Sequence, residues 1–388
     1  MKPVYIVSWL FALAISFVSC DDWLDKTPKD RLYPDVYFKT EDELRLFTNQ
    51  FYNNLVPSAV DIYSESSDLI VKSDLMLEMS GQRIIPDEGN GWNFTALRDI
   101  NFYLQYSHNC TEVNARNRYD GVARFFRAYF YFEKVKRYGD IPWYDKALDS
   151  DDPELYKARD SREFVMQKML EDLDFAIANL PKTKNAYVLT RWTALALKSR
   201  VCLFEGTFRK YHGLEDCEKY LNACVSASET FMNESGYTLY KSGSTPYRDL
   251  FASINLQADE VIFGRDYEAS LSVLHNVQNY ENSTTMGRPG MNKKIVNSYL
   301  MADGSRFTDK AGYETMTFDQ ECQNRDPRLA QTIRTPGYTR IGSTKKEAPN
   351  LAYTMTGYHL IKYSMTANYD EYNKSVSYTH LTLPTNSR

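Results

Sequence analysis

Apolar residues recur at helical spacing along most of the chain. One stripe runs from Leu44 to Leu55, and the acidic residues 41–43 before it suit a helix N-terminus. Later stripes with the same spacing cover residues 122–138, 166–180, 192–206 and 217–231. This spacing predicts a mostly α-helical protein whose successive helices pack against one another.

Capping and stop signals mark the ends of these helices. Asp160 with Glu163 three residues later is typical of an N-terminal cap, and Pro181 ends the helix that follows. The first of the last two stripes ends at Gly206, and a short turn around His212-Gly213 joins it to the second. The sequence therefore predicts that helices 192–206 and 217–231 form an antiparallel pair.

Small residues lie where these two helices would cross, which allows a close approach. We expect Ala196, Ser199, Leu221 and Cys224 to face inward. The pattern resembles tetratricopeptide hairpins, in which stacked helix pairs bury a continuous core. The predicted fold class is mostly α: a tetratricopeptide-like helix-pair scaffold (an α-α superhelix) with long irregular loop inserts and minor β structure.

Long irregular inserts separate the helices. They cover residues 58–90, residues 140–159 and nearly everything from residue 237 onward, where residues 259–264 could form a short strand. Loops of this length in a compact protein are usually functional.

The composition is that of a folded globular chain. Of 388 residues, 43% are apolar and 25% are charged, and 30 Tyr stand against 5 Trp. With 46 basic and 51 acidic residues the net charge is -5, which argues against nucleic acid as a partner. Tyrosine suits surfaces that contact sugars or peptides as well as cores.

The N-terminus carries a targeting signal. Lys2 precedes an apolar run over residues 4–18 that is too short to span a membrane, and Cys20 follows it directly before two Asp residues. This resembles a bacterial lipoprotein signal, in which residues 1–19 are removed and Cys20 is acylated and anchors the protein to a membrane. An ordinary cleaved signal with an incidental Cys20 is the alternative.

The C-terminal residues 376–388 lack any helical or strand period. Back-translation of residues 376–381 gives a DNA sequence that resembles the transposon end used to tag sequencing libraries. We therefore expect residues 376–388 to be a translated adapter and exclude them from the fold.

Catalytic chemistry is sparse in the sequence. Five cysteines besides Cys20 show no zinc spacing and no disulfide pattern, no nucleophile or phosphate-loop motif is present, and we expect neither metal nor cofactor. Asp259 and Glu260 could be nominated as a glycosidase pair, but adjacency does not place two carboxyls across a glycosidic bond. We expect the protein not to be an enzyme.

Four stretches, together with Cys20 and the Trp-Leu-Asp that follows it, resemble one family. The stretches are residues 126–142, 180–197, 296–304 and 324–329. In this order and spacing they are similar to the SusD/RagB-like nutrient-binding lipoproteins of the outer membrane. The resemblance implies a nutrient-binding domain over residues 20–375 that is incomplete at its C-terminus.

The resemblance also implies a function. Family members capture glycan, or in some branches peptide, on the outer face of the outer membrane and deliver it to a TonB-dependent, SusC-like porin without chemistry. A surface-anchored glycoside hydrolase and a peptide-binding member of the same family remain the alternatives.

Two inserts could supply the ligand face, because a glycan site needs a flat aromatic ring and polar groups around it. The first set is Arg83, Asn90 and Trp92; the second is Tyr267, His275, Asn279 and Tyr280. For Trp92 the alternative is that it only packs the start of the following helix.

Overall fold

The computed structural model describes residues 37–56, 69–86, 91–253, 255–267, 273 and 283–362. Its helices, in chain order, are α1 Glu41–Leu55, α2 Leu77–Ser80, α3 Thr95–Tyr106, α4 Val113–Tyr138, α5 Arg162–Asn179, α6 Arg191–His212, α7 Cys217–Glu234, α8 Pro246–Ala252, α9 Lys293–Ser298, α10 Phe318–Glu321 and α11 Pro327–Ala330. The strands are β1 Ile70–Val71 and β2 Gly290–Met291. The mostly α prediction is confirmed. The expectations for residues 1–19, Cys20 and residues 376–388 lie outside the described residues.

Side-chain caps begin several of these helices. Thr40 and Glu43 form a capping box at α1, where the Thr40 hydroxyl accepts from the Glu43 amide and the Glu43 carboxylate accepts from the Thr40 amide. The predicted cap of α5 was wrong by one residue: Ser161 caps the helix. Asp160 instead accepts the Trp143 backbone N–H at 2.7 Å, so its carboxylate holds the preceding insert.

The long helices pack in sequence. Helix α4 packs on α5, α5 on α6 and α6 on α7, while α1 and α3 pack on each other and on α4. The main core lies between α1, α3, α4 and α5 and is rich in fully buried aromatic rings, among them Phe51, Tyr103, Phe126 and Tyr131. Burial of large aromatic area along successive helix faces explains why the array holds together.

Helices α6 and α7 form the predicted antiparallel pair. The predicted end at Gly206 was wrong, because α6 continues to His212, where Gly213 ends it in the left-handed conformation with φ 64° and ψ 30°. Ala196 and Ser199 are buried, and the Ser199 hydroxyl lies 2.8 Å from that of Ser228 across the pair. Leu221 and Cys224 face the same contact but are only half-buried.

A second, smaller core follows the array. It joins residues from α8, α9, α11 and β2, including Leu250, Val296, Leu329 and Met291. Strands β1 and β2 pair antiparallel with Ile70 opposite Met291, which is the minor β structure expected.

The predicted strand at residues 259–264 was wrong. Its backbone turns, with the Val261 amide donating to the Gln257 carbonyl, and the flanking bonds reach two different loops, at Thr238 and at Ala186. The apolar run Val261 to Phe263 is nevertheless buried. A short apolar run bounded by turn residues fits a buried turn as well as a strand, which is why periodicity alone misassigned it.

Two further features of the fold are the state of the cysteines and the length and apolar content of the helices. Among the described residues, Cys110, Cys202, Cys217, Cys224 and Cys322 are free thiols, and Cys110 and Cys202 are buried. None of the described helices combines the length and the apolar content that a membrane crossing requires.

Candidate functional site

A cleft of about 540 Å³ opens between the start of α3 and the insert that follows α4. Its aromatic lining comes from Trp92, Phe94 and Tyr144. Its cationic lining is Arg98, Lys146, Lys157 and Arg159. Concave sites that combine apolar rings with a few polar groups are the usual form of small-ligand sites.

Asn101, on α3, fixes the floor of this cleft. Its buried side-chain amide donates to the Tyr144 carbonyl at 2.8 Å and to the Lys146 carbonyl at 3.2 Å. The Tyr144 amide donates in turn to the Tyr131 hydroxyl at 2.6 Å. The insert is therefore tied to α3 and α4 by two buried hydrogen bonds and one part-buried one, which hold its backbone in one position.

Beneath Asn101, a buried arginine connects the floor to the helix array. Arg127 donates to the Asn101 side-chain oxygen at 3.2 Å and to both carboxylate oxygens of Asp172 on α5. Burial alone would lower the pKa of Arg127, but the hydrogen bonds and the charge of Asp172 raise it above its ordinary value. Arg127 therefore stays charged and paired.

Trp92 is both packed and exposed. Its ring meets Phe94 edge-on at 5.3 Å and Tyr138 edge-on at 4.9 Å, measured between ring centroids. The residue is still 41% exposed, and the Arg159 guanidinium carbon lies 5.0 Å from its ring centroid. The packing holds the ring in one orientation at the cleft, which favours stacking against a ligand at low entropic cost.

The start of α3 is also turned toward the cleft. Thr95 begins the helix and lines the cavity, and its backbone N–H is accepted by the Asn93 side chain at 2.8 Å. The first turn of α3 carries no acidic side chain. The partial positive charge of the helix N-terminus is thus not offset by a carboxylate within that first turn.

A second cleft of about 550 Å³ shares Thr95 with the first in its lining. Asp99, Tyr129, Glu133 and Lys134 are among the residues that line it. Burial raises the pKa of Asp99 above its ordinary value. A glycoside hydrolase requires two carboxylates in one cleft. The hydrolase alternative can therefore be tested at this second cleft.

The structure separates the predicted ligand residues. Trp92 lines the first cleft. Arg83 is exposed but is not among the lining residues, and Tyr267 is 5% exposed and packs in the second core. Asn90, His275, Asn279 and Tyr280 lie outside the described residues.

Sequence reasoning missed most of the cleft. Arg98, Asn101, Lys146 and Arg159 were not nominated, although the length of the insert at residues 140–159 marked it as functional. Among the described residues, no group of three or more His, Cys, Asp or Glu side chains is placed to hold a metal ion.

Two family models match the chain. The SusD family model matches residues 250–385, and the model described as starch-binding, associating with outer membrane, matches residues 81–191, which include every lining residue of the first cleft. The chain belongs to the SusD/RagB-like family. The first match extends into residues 376–388, whose assignment as an adapter stays a prediction.

Relatives and solved structures agree with this membership. SusD-like protein P2 of Formosa agariphila is 26% identical over 70% of this chain and 55% of its own length. This SusD-like chain spans about half the length of the curated relatives it matches.

Two crystal structures from Bacteroides fragilis share the fold. A SusD-like protein has a TM-score of 0.71 at 21% identity, covering 90% of this chain and 74% of that one. A SusD-like carbohydrate-binding protein has a TM-score of 0.65 at 18% identity, covering 84% and 68%. The tetratricopeptide-like helical fold predicted from the sequence is confirmed.

Proposed function

We propose that this SusD-like protein binds a glycan in the cleft at Trp92 and does not transform it. The observation that carries the proposal is the exposed Trp92 ring, held by Phe94 and Tyr138 at the mouth of a cleft whose floor is fixed by Asn101. The apolar face of a sugar ring stacks on such an indole, and the polar side chains around it satisfy the hydroxyls.

The comparisons support the ligand class. One matching family model is described as starch-binding, and one structural neighbour is a carbohydrate-binding protein. The family to which the chain belongs is thus associated with carbohydrate. Delivery of the glycan to a TonB-dependent, SusC-like porin is part of our proposal and follows from the resemblance.

Anchoring is also part of the proposal. Cys20 after its apolar leader would carry the lipid and hold the protein on the outer face of the outer membrane. Metabolic labelling with a clickable palmitate tests this, because Cys20→Ala should lose both the label and the membrane attachment. Unchanged attachment of that variant would contradict the anchor.

Calorimetry with a panel of oligosaccharides tests glycan binding. Trp92→Ala should abolish or strongly weaken binding of whichever glycan the wild-type protein takes. Tyr156→Ala is the matched control, because Tyr156 is 87% exposed in the same insert but does not line the cleft. Tyr280→Ala tests the other predicted loop in the same assay.

The outcomes separate the alternatives. Equal affinities of Trp92→Ala and wild type, with the fold intact by circular dichroism, would move the site away from this cleft. Release of shorter sugars that stops in Glu133→Gln would favour the hydrolase, and binding of peptides but of no glycan would favour the peptide-binding alternative.

A further inference from the structure

All the charged side chains among the described residues that line the Trp92 cleft are positively charged. Four cationic side chains line it, Arg98, Lys146, Lys157 and Arg159, and no Asp or Glu is among its described lining residues. The whole chain has a net charge of -5, so this arrangement is local. A neutral glycan needs no such concentration of positive charge, since hydroxyls are satisfied by uncharged donors and acceptors.

Three of these cations have acidic partners outside the cleft. Arg98 lies 3.7 Å from Asp149, and Lys157 lies 3.0 Å from Asp160. Lys146 pairs with Asp152 and Glu154, and hydrogen bonds to these two carboxylates raise its pKa. These partly exposed pairs place the three cations at the cleft wall and partly neutralise their charge.

Arg159 differs from the other three. It is exposed, its guanidinium lies over the Trp92 ring, and it makes no ion pair with any described residue. A planar guanidinium offers several N–H donors in a geometry that fits carboxylate and sulfate oxygens. The guanidinium is therefore close enough to Trp92 to meet an anionic group carried by a sugar that contacts this ring.

The acidic partners limit how much negative charge the site tolerates. Asp149, Asp151 and Asp152 stand together in the loop that flanks the cleft. A ligand charged on every residue would be repelled by this loop, whereas one isolated anionic group at Arg159 would not.

We infer that the ligand is an acidic glycan: a mostly neutral chain whose isolated carboxylate or sulfate group binds Arg159 while the sugar ring stacks on Trp92. This inference rests on the proposed function and names the ligand class for the same cleft. The start of α3, which carries no acid in its first turn, adds a second favourable field for an anion.

Matched pairs of probes test the inference by calorimetry on the full chain. One pair is a xylan oligosaccharide with a single glucuronate branch and its carboxyl-reduced form. The other is a galactan oligosaccharide with a single sulfate and its desulfated form. We expect the charged member of one pair to bind about tenfold more tightly than its neutral partner, a preference that fades when added salt shortens the Debye length to about 3 Å.

Two variants locate the effect. Arg159→Gln should weaken binding of the charged probe about tenfold and leave the neutral probe within about twofold. Arg118→Gln changes the net charge equally and serves as control, because Arg118 is half-exposed, pairs with Glu41 and does not line the cleft. Binding in Arg118→Gln should equal that of wild type.

The failures can be told apart. Neutral probes that bind as tightly as charged ones, and that require Trp92, would overturn the acidic-glycan inference and keep the proposed function. A charge preference that persists in Arg159→Gln, or that falls equally in Arg118→Gln, would also overturn it. Absence of binding to every charged and neutral oligosaccharide would contradict both.

Discussion

Arg127 and Asp172 meet across the contact between α4 and α5 as a bidentate ion pair. The Arg127 Nε lies 2.6 Å from one carboxylate oxygen, and its Nη2 lies 2.7 Å from the other. The same guanidinium donates to Asn101, whose amide fixes two carbonyls of the insert. One buried contact thus connects the packing of the helix array to the floor of the ligand cleft.

Removing the carboxylate charge should therefore destabilise the protein strongly. We expect Asp172→Asn to lower the free energy of unfolding by about 3–5 kcal/mol, because the buried charge of Arg127 would be left without its counter-charge. Asp174→Asn on the same helix is the control: Asp174 is 58% exposed and pairs with Lys198, so the loss should stay below about 1 kcal/mol. Denaturant unfolding followed by circular dichroism measures both, and equal losses would contradict the assignment.

The close approach of α6 and α7 depends on Gly206. A Cβ built at Gly206 would lie 2.7 Å from the Leu221 side chain and 3.1 Å from the Leu221 backbone nitrogen. Gly206→Ala should therefore cost about 1–3 kcal/mol through overpacking. The same substitution in a Leu221→Ala background should cost less, since the closest atoms are gone, and a double-mutant cycle measures the difference. A coupling energy of zero would show that the helices separate freely.

Asp120 in α4 should give the stability a pH dependence. Burial raises its pKa above the usual 3.8, and its Oδ1 accepts no hydrogen bond within the described part of the chain. Because the pKa is higher in the folded state than in the unfolded state, the folded state favours the protonated carboxyl. The stabilising contribution of this carboxyl is therefore complete below about pH 4, and it is lost as the pH rises through the folded-state pKa.

Asp120→Asn removes this titration. Relative to wild type, we expect the variant to gain stability as the pH rises from about 3 to about 7, measured by denaturant unfolding at each pH. Parallel pH profiles of the two proteins would show that Asp120 does not carry the effect.

The helices could be predicted because their signals are local. The stripe from Leu44 to Leu55 and the turn at Gly213 lie within or directly beside the elements they define, and both were correct, whereas the helix end predicted at Gly206 was six residues too early. The cap of α5 was misplaced by one residue because Asp160 and Ser161 are both good caps, and Asp160 is engaged by the distant Trp143 amide. Tertiary contacts decided between two local options.

The cleft could be predicted only in part. Trp92 was identified as an aromatic residue in an insert, but the side chains around it come from segments that are far apart in sequence. Asn101 and the Tyr144 carbonyl it binds are 43 residues apart. No local pattern relates such positions, so Arg98 and Arg159 could be recognised as neighbours only once the helices had placed them.

We therefore predict that Asn101 affects ligand binding indirectly, by fixing the insert that forms part of the cleft. Asn101→Leu keeps a similar volume but removes the donors to Tyr144 and Lys146 and the acceptor for Arg127. We expect a loss of about 1–3 kcal/mol in unfolding free energy, because two carbonyls and a guanidinium N–H lose their partners.

The decisive readout is affinity, measured well below the unfolding transition of the variant. The insert that carries Tyr144 and Lys146 would no longer be fixed to α3, so glycan affinity should fall even though Trp92 and Arg159 are unchanged. Gln105→Leu on the same helix is the control, because Gln105 is exposed and its side chain donates only to Tyr106 at 3.3 Å among the described contacts. It should leave both stability and affinity as in wild type. A folded Asn101→Leu protein that binds glycan with wild-type affinity would show that the floor of the cleft does not depend on this side chain.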